Sequence, residues 1–387
     1  MLDNVFRPWL LALVIPELVA AVLALVAMSA ALRVLSLGES PRTSELALAI
    51  ERRAELVATL FGVASAATTL ALVVEVIGAD RLRSSLRGAM CAWAVLAQAP
   101  WGFRSLGLAA VASLACAAWL ALHRVDLALR VSELSRAKFA LVLVVAPLVV
   151  ANLGGGVLYA LGLDFRVVAS CCSTGLEGAR EAVMGAGGGA RTMPFAIFAS
   201  AAAASVILAI AARRSRSSRL AAVSSLASMI AALASMPAIL GYVAPHAYES
   251  PVHLCPFCLL DADGGYLGWP LYAALFAATS IGLAAGVGAI VIPRVRERDA
   301  AWSVVSRSLA RLAGAWTITL LVALYPIARF AIETGGADLF GSREVRASHT
   351  SPACGSGWVR DTSVRLALNP RPLPLAGEGT RLQRGTH

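Results

Sequence analysis

Long apolar runs separated by short polar loops dominate the chain from Trp9 to Phe330. A run of about 18 or more apolar residues can cross the hydrocarbon core of a bilayer as a helix. The pattern therefore predicts an all-α fold, a polytopic transmembrane helix bundle of about nine spans. The predicted spans are Trp9–Leu32, Leu56–Ile77, Gly88–Trp101, Leu106–His123, Phe139–Leu163, Pro194–Ala212, Leu220–Val243, Leu271–Ile292 and Leu309–Phe330.

The arginines predict the orientation of this bundle. With nine spans, the Arg-rich loops at 81–87, 124–138, 213–219 and 294–311 all fall on one face. The positive-inside rule makes that face cytoplasmic, with the N-terminus inside. Two observations leave the count open. The spans at 88–101 and 106–123 are short enough to be one span, and Arg33, Arg42, Arg52 and Arg53 fall on the opposite face.

The same count defines the domain organisation. Residues 1–334 form the predicted transmembrane domain, with extracytoplasmic loops at 164–193 and 244–270. Residues 335–387 mix both charges, include Pro370, Pro372 and Pro374, and lack any apolar periodicity. That composition predicts a disordered C-terminal tail.

Composition agrees with a membrane protein and excludes other classes. Hydrophobic residues make up 58% of the chain and charged residues 14%, against about 25% charged in a typical soluble domain. The net charge of +10 comes from loop clusters rather than a basic stripe with interleaved aromatics. The expected partner is therefore the lipid bilayer, with no nucleic acid. We expect a bacterial inner membrane, and the absence of a phosphate-binding loop argues against an ATPase.

Four of the seven cysteines are candidates for chemistry. Cys91 and Cys116 lie in apolar runs, where a thiol behaves as a small hydrophobe, and Cys354 lies in the tail. The remaining four form two pairs in the extracytoplasmic loops, Cys171-Cys172 and the C-x-x-C motif Cys255–Cys258. Their common face predicts one shared site in an oxidising compartment.

Three interpretations of this site remain open. In a thiol–disulfide oxidoreductase, Cys255 is the nucleophile, Cys258 the resolving thiol, and His253 favours the thiolate. In a metal-handling protein, Cys171, Cys172, His253, Cys255 and Cys258 are ligands for copper or zinc. In the third interpretation the cysteines form inert structural disulfides. The expected protein partner is a periplasmic thiol protein in the first case and a metal carrier in the second.

A thiol pair followed by an interfacial C-x-x-C motif resembles the vitamin K epoxide reductase and DsbB families. These compact four-helix membrane enzymes pass electrons from thiols to a quinone or quinone epoxide. The resemblance implies that Cys255 and Cys258 are the quinone-proximal pair and Cys171 and Cys172 the shuttle pair. The aromatic residues Phe257, Tyr266 and Trp269 are then candidates to contact the quinone.

Two carboxylates interrupt the apolar runs. Glu17 follows Pro16 deep in the first span, where an ionisable residue suggests either proton or ion handling or a satisfied helix contact. Glu75 lies near the end of the second span, and we expect it to extend to the interface.

Overall fold

The computed structural model describes residues 8–37, 44–131, 133–166, 168, 188–336 and 339–340. These residues form helices and connecting turns without a strand, which confirms the predicted all-α bundle. The α-helices are α1 (Pro8–Leu37), α2 (Ser44–Leu82), α3 (Ala92–Gln98), α4 (Gly102–Ala128), α5 (Ser135–Gly162), α6 (Gly188–Ser215), α7 (Ser218–Ala238), α8 (Ala244–Ala247), α9 (Gly268–Val291) and α10 (Arg298–Thr334).

Eight helices in the described part of the chain are long and apolar enough to cross a membrane. A π-helical turn, Ile239–Val243, joins α7 to α8, so these two elements form one continuous span. The outer surface of the bundle carries large apolar side chains, such as Leu18, Ile207, Leu233 and Leu321. A soluble monomer does not expose apolar surface on this scale, whereas a lipid-facing surface requires it. The fold is that of a multi-pass membrane protein.

The third predicted span, Gly88–Trp101, is not a membrane-spanning helix. Its only α-helix is α3, whose seven residues extend about 10 Å, a third of the hydrocarbon core. A left-handed Gly88 precedes α3, and Pro100 follows it. The chain then turns back sharply, because a Cβ on Gly102 would lie 2.8 Å from the Leu96 carbonyl carbon. The apolar side chains of α3 are buried against the bundle rather than in lipid.

This difference changes which segments share a face. Leu10 and Leu13, at the start of α1, pack in one cluster with Leu96 of α3 and against Phe257 of the C-x-x-C motif. The beginning of α1 and the loop with the C-x-x-C motif therefore lie at the same end of the bundle, which we call the cysteine face. The sequence-based orientation had placed the N-terminus on the opposite side, because it counted 88–101 as a span.

The opposite end, which we call the arginine face, collects most of the basic loops. Eight spans bring Arg33, Arg52 and Arg53 toward the same end as the loops at 124–138, 213–219 and 294–311. Ion pairs join these loops, with Arg296 3.8 Å from Glu133 and Arg216 3.4 Å from Asp299. The 81–87 loop moves to the cysteine face. This distribution still favours a cytoplasmic arginine face under the positive-inside rule.

The spans form two rings of four helices. In the first ring α1 contacts α2 and α5, and α4 closes the ring between α2 and α5. In the second ring α6 contacts α7 and α10, and α9 closes it in the same way. The four helices of each ring therefore contact one another in the same order along the chain, and corresponding helices run in the same direction across the bundle. They meet where α4 packs on α9 and α10.

Small residues allow close packing inside the second ring. A Cβ on Gly282 or Gly286 of α9 would collide with the side chain of Ser228 or Ser225 of α7. The Ser225 hydroxyl donates to the Gly282 carbonyl at 2.8 Å. This is the helix-packing role expected of small residues spaced four apart.

Candidate functional site

Three cysteine sulfurs meet at the cysteine face. Cys91 precedes α3, in the loop between α2 and α4, whereas Cys255 and Cys258 lie in the loop between α8 and α9. The Sγ atoms of Cys91 and Cys255 are 3.6 Å apart. All three Sγ atoms lie within 4.8 Å of one another. Cys91 and Cys255 are 1% and 2% exposed, and Cys258 is half-buried.

Hydrogen bonds to backbone carbonyls fix the conformation of the C-x-x-C loop. The Tyr272 hydroxyl donates to the Pro256 carbonyl at 2.6 Å, and the Tyr248 hydroxyl donates to the Cys258 carbonyl at 2.6 Å. The Trp269 indole N–H donates to the Leu260 carbonyl at 3.1 Å. Between these anchors, Phe257–Leu260 forms one 3₁₀ turn. The loop is therefore held in place by aromatic side chains from both of its flanks.

Glycine lets the following turn close over the motif. A Cβ on Gly264 would lie 2.9 Å from both the Cys258 carbonyl oxygen and the Tyr248 hydroxyl. Gly265 has a φ of 64°, in the left-handed region that glycine tolerates best. Tyr266 follows with a φ of 55° and a mostly exposed side chain.

An ion pair joins the two rings beside the cysteines. Arg83, at the end of α2, pairs with Asp261, which follows the C-x-x-C turn, and lies 3.7 Å from Asp80. Burial raises the pKa of the Asp261 carboxyl above its usual range, although Arg83 opposes the shift. The pair fixes the position of the C-x-x-C loop of the second ring against the Cys91 loop of the first.

Aromatic side chains pack against one another on both flanks of the C-x-x-C motif. The rings of Trp93 and Phe103 are 4.5 Å apart, and both lie about 6 Å from the ring of Phe257. On the other flank His253 stacks on Tyr248 with a ring separation of 3.9 Å. Burial, and then the nearby Cys258, raises the pKa of Tyr248 above its usual range, so this phenol stays a hydrogen-bond donor.

The structure brings together only part of the predicted site. Cys171 and Cys172 lie outside the described residues. Of the predicted ligands, Cys255 and Cys258 belong to the described cluster of metal-ligating atoms, whereas His253 is not a member. The aromatic candidates have separate positions: Phe257 packs on Trp93 and Phe103, Trp269 anchors the loop, and Tyr266 points outward.

Sequence reasoning missed Cys91. Its apolar neighbours placed it inside a predicted span, where a thiol has no chemical role. The available signal was the loop itself, since Pro100 and Gly102 interrupt a run already too short to cross a bilayer. Cys91 also stands in the loop between the second and third spans of its ring, as Cys255 and Cys258 do in theirs.

The sulfur geometry defines the available chemistry. At 3.6 Å the Cys91 and Cys255 sulfurs are too far apart for a disulfide, whose S–S length is about 2.05 Å. A metal–sulfur distance of about 2.3 Å places two thiolates on one ion about 3.8 Å apart in a tetrahedral site and about 4.0 Å apart in a trigonal one. The three thiols therefore lie close enough together that they could hold a single soft ion.

No protein-family model, curated protein or solved structure matches the chain.

Proposed function

We propose that the protein binds a thiophilic metal ion, copper(I) in the first instance, through Cys91, Cys255 and Cys258 on the outer face of a bacterial inner membrane. The observation that carries the proposal is the position of Cys91. A C-x-x-C motif needs no third sulfur for thiol exchange, yet a separate element places one 3.6 Å from Cys255.

The surroundings of the sulfurs support a metal site. Soft thiolate ligands in an enclosed site select copper(I) or zinc over hard cations. Copper(I) accepts three thiolates, whereas structural zinc takes four ligands. Within the described residues the cluster supplies three, so zinc would need a further ligand, such as Cys171 or Cys172. Cys258 is the half-buried member of the cluster, so an ion would enter the site beside this residue.

The test is a copper(I) titration of the purified full-length chain in lipid nanodiscs, under anaerobic reducing conditions, against a chromogenic chelator. We expect one ion per chain, and protection of the thiols from alkylation. Cys91→Ala should weaken binding at least tenfold, since loss of an outer-shell partner alone costs about 10–100-fold. The control is Cys116→Ala, which removes an equally buried thiol from α4. Equal affinities for the two variants would refute the proposal.

A second candidate is thiol–disulfide exchange, and the unequal exposure of the two motif cysteines favours it. Cys258 is accessible and Cys255 is buried beside Cys91. A partner thiolate would attack Cys258 of a Cys255–Cys258 disulfide, and Cys255 would leave as the thiolate. The second partner thiol would then release Cys258, so that two electrons pass to the motif and onward to a quinone.

This candidate reverses the roles that the sequence suggests for the two motif cysteines. Here Cys258, rather than Cys255, would meet the partner. In the reverse direction, the Cys258 thiolate of Cys255→Ser should attack an added disulfide, oxidised glutathione, and accumulate a mixed disulfide that Cys255 cannot resolve, visible as a mass shift that dithiothreitol reverses. Cys258→Ser should accumulate none. Motif cysteines that stay reduced under oxidant and quinone would exclude this candidate and leave the metal proposal intact.

A further inference from the structure

Two carboxylates lie inside the first ring of helices, apart from the cysteines. Glu17 of α1 and Glu75 of α2 are each 1% exposed. They lie nine residues after the start of α1 and seven before the end of α2. With a rise of about 1.5 Å per residue, both are roughly 10–14 Å inside the bundle from the cysteine face. Glu75 therefore does not reach the interface, contrary to the expectation from its sequence position.

Side chains from the other two helices of the ring complete the site. The Asn152 side-chain amide of α5 donates to Glu17 Oε1 at 3.1 Å. Gly156, one turn further on, makes room for the carboxylate, because a Cβ there would lie 2.7 Å from Glu17 Cδ. Glu75 acts electrostatically on Glu17 and on the Tyr159 phenol, and lies beside the Ser105 hydroxyl of α4.

This site is polar but poor in hydrogen bonds. Glu17 Oε2, Asn152 Oδ1 and the Tyr159 hydroxyl are buried without a hydrogen-bond partner, and the Ser105 hydroxyl is the one side-chain donor found beside the buried Glu75 carboxylate in the described residues. The buried serines of the second ring contrast with this, since Ser205, Ser224, Ser225 and Ser228 all donate to backbone carbonyls. Buried polar groups are ordinarily paired, so the unpaired atoms of the first ring point to a ligand.

Charge identifies the ligand as positive. Two adjacent carboxylates in a low-dielectric interior do not both remain ionised without a cation. No ion pair found in the described part of the chain includes either of them. Within those residues the titratable groups that act on the pair are the two carboxylates themselves and Tyr159, none of which is a cation when charged.

The size of the access route favours the smallest cation. A cavity beside Glu75 and Tyr159 extends past Gly78 toward Trp9 at the start of α1. Its volume of about 10 Å³ is that of one water molecule and cannot hold a hydrated metal ion. Tyr159 lines the same cavity, so its hydroxyl is placed to relay a proton between Glu75 and the cavity.

We propose that Glu17 and Glu75 form an intramembrane proton-binding site that exchanges its proton with the cysteine face through Tyr159 and this cavity. At least one of the two carboxyls holds a proton, and the Asn152 amide orients Glu17. This site is independent of the metal or redox chemistry of the cysteines.

The test is infrared difference spectroscopy of the full-length chain in nanodiscs during a pH titration. We expect the C=O stretching band of a protonated carboxyl to persist at neutral pH, where exposed carboxylates are ionised. Glu17→Gln and Glu75→Gln should each remove or shift the band. Glu55→Gln, at an exposed position of α2, should leave it unchanged.

Two further arms test the ligand and the route. The band should be the same in sodium chloride and choline chloride; loss of the band in sodium alone would overturn the proposal in favour of a sodium site. Gly78→Leu should fill the cavity and slow exchange of the carboxyl proton for deuterium, whereas Gly78→Ala should not, since its Cβ meets nothing closer than 4.0 Å. Absence of the band at neutral pH, or equal exchange rates in the two variants, would overturn it as well.

Discussion

Gly156→Ala tests the fit between α5 and Glu17 of α1. The added Cβ would lie 2.7 Å from Glu17 Cδ and 2.8 Å from Oε1, well inside the usual carbon contact distance of about 3.5 Å. The carboxylate must move, and its hydrogen bond from Asn152 is lost. Overpacking of this kind costs about 1–3 kcal/mol, and loss of the hydrogen bond adds about 1 kcal/mol. We therefore expect a destabilisation of about 2–4 kcal/mol.

The same helix supplies a matched control. Gly154 lies two residues earlier and faces outward, and a Cβ there meets nothing within 4 Å. Gly154→Ala should be neutral or stabilising by up to about 1 kcal/mol, because alanine favours the helix. The assay is thermal unfolding in detergent, followed by tryptophan fluorescence. In the double variant with Glu17→Ala, Gly156→Ala should lose most of its cost. Equal melting temperatures for the two glycine variants, or an undiminished cost without Glu17, would refute the packing argument.

Three other outcomes follow from the cysteine face. Tyr272→Phe removes the hydrogen bond to the Pro256 carbonyl, and alkylation of Cys255 should accelerate by up to about tenfold, matching a loss of about 0.5–1.5 kcal/mol; an unchanged rate would show that the bond does not restrain the loop. Copper(I) affinity should fall as the pH is lowered, because thiols must lose protons to bind, whereas a pH-independent affinity would exclude thiolate ligands. Reporter fusions at the N-terminus and at Gly264 should indicate the same, outer compartment, and opposite signals would contradict the eight-span arrangement.

The sequence predicted the membrane-spanning helices correctly where a run of residues was both apolar and long enough to cross a bilayer. Long runs such as Phe139–Leu163 predict helices because an apolar segment of that length has no soluble alternative. The run at 88–101 has the same polarity without the length, which was a local signal against a span; its packing against α4 depends on contacts that no local pattern encodes. The misassignment of this one segment also reversed the predicted side of the N-terminus.

Only part of the candidate site could be predicted from the sequence, for the same reason. The spacing of Cys255 and Cys258 is local, so the motif is visible in the sequence. Cys91 joins it from 164 residues away, through packing between the two rings. Glu17 drew attention because it follows Pro16 in an apolar run. Glu75 was wrongly expected at the interface, because proximity to a helix end in the sequence says nothing about which face of the helix a neighbour covers.

Because Cys91 contacts the C-x-x-C loop, the site links the two halves of the polypeptide, which are the two rings of helices. Each half contributes the loop between its second and third spans, so neither half holds the site alone. An ion bound there would favour the docked arrangement of the halves over any separated one, by about 2.7 kcal/mol when its concentration is a hundred times its dissociation constant. Metal occupancy and the closure of the seam between α4 and α9 are then one linked equilibrium. Any motion that separates α4 from α9 would then release the ion at the cysteine face.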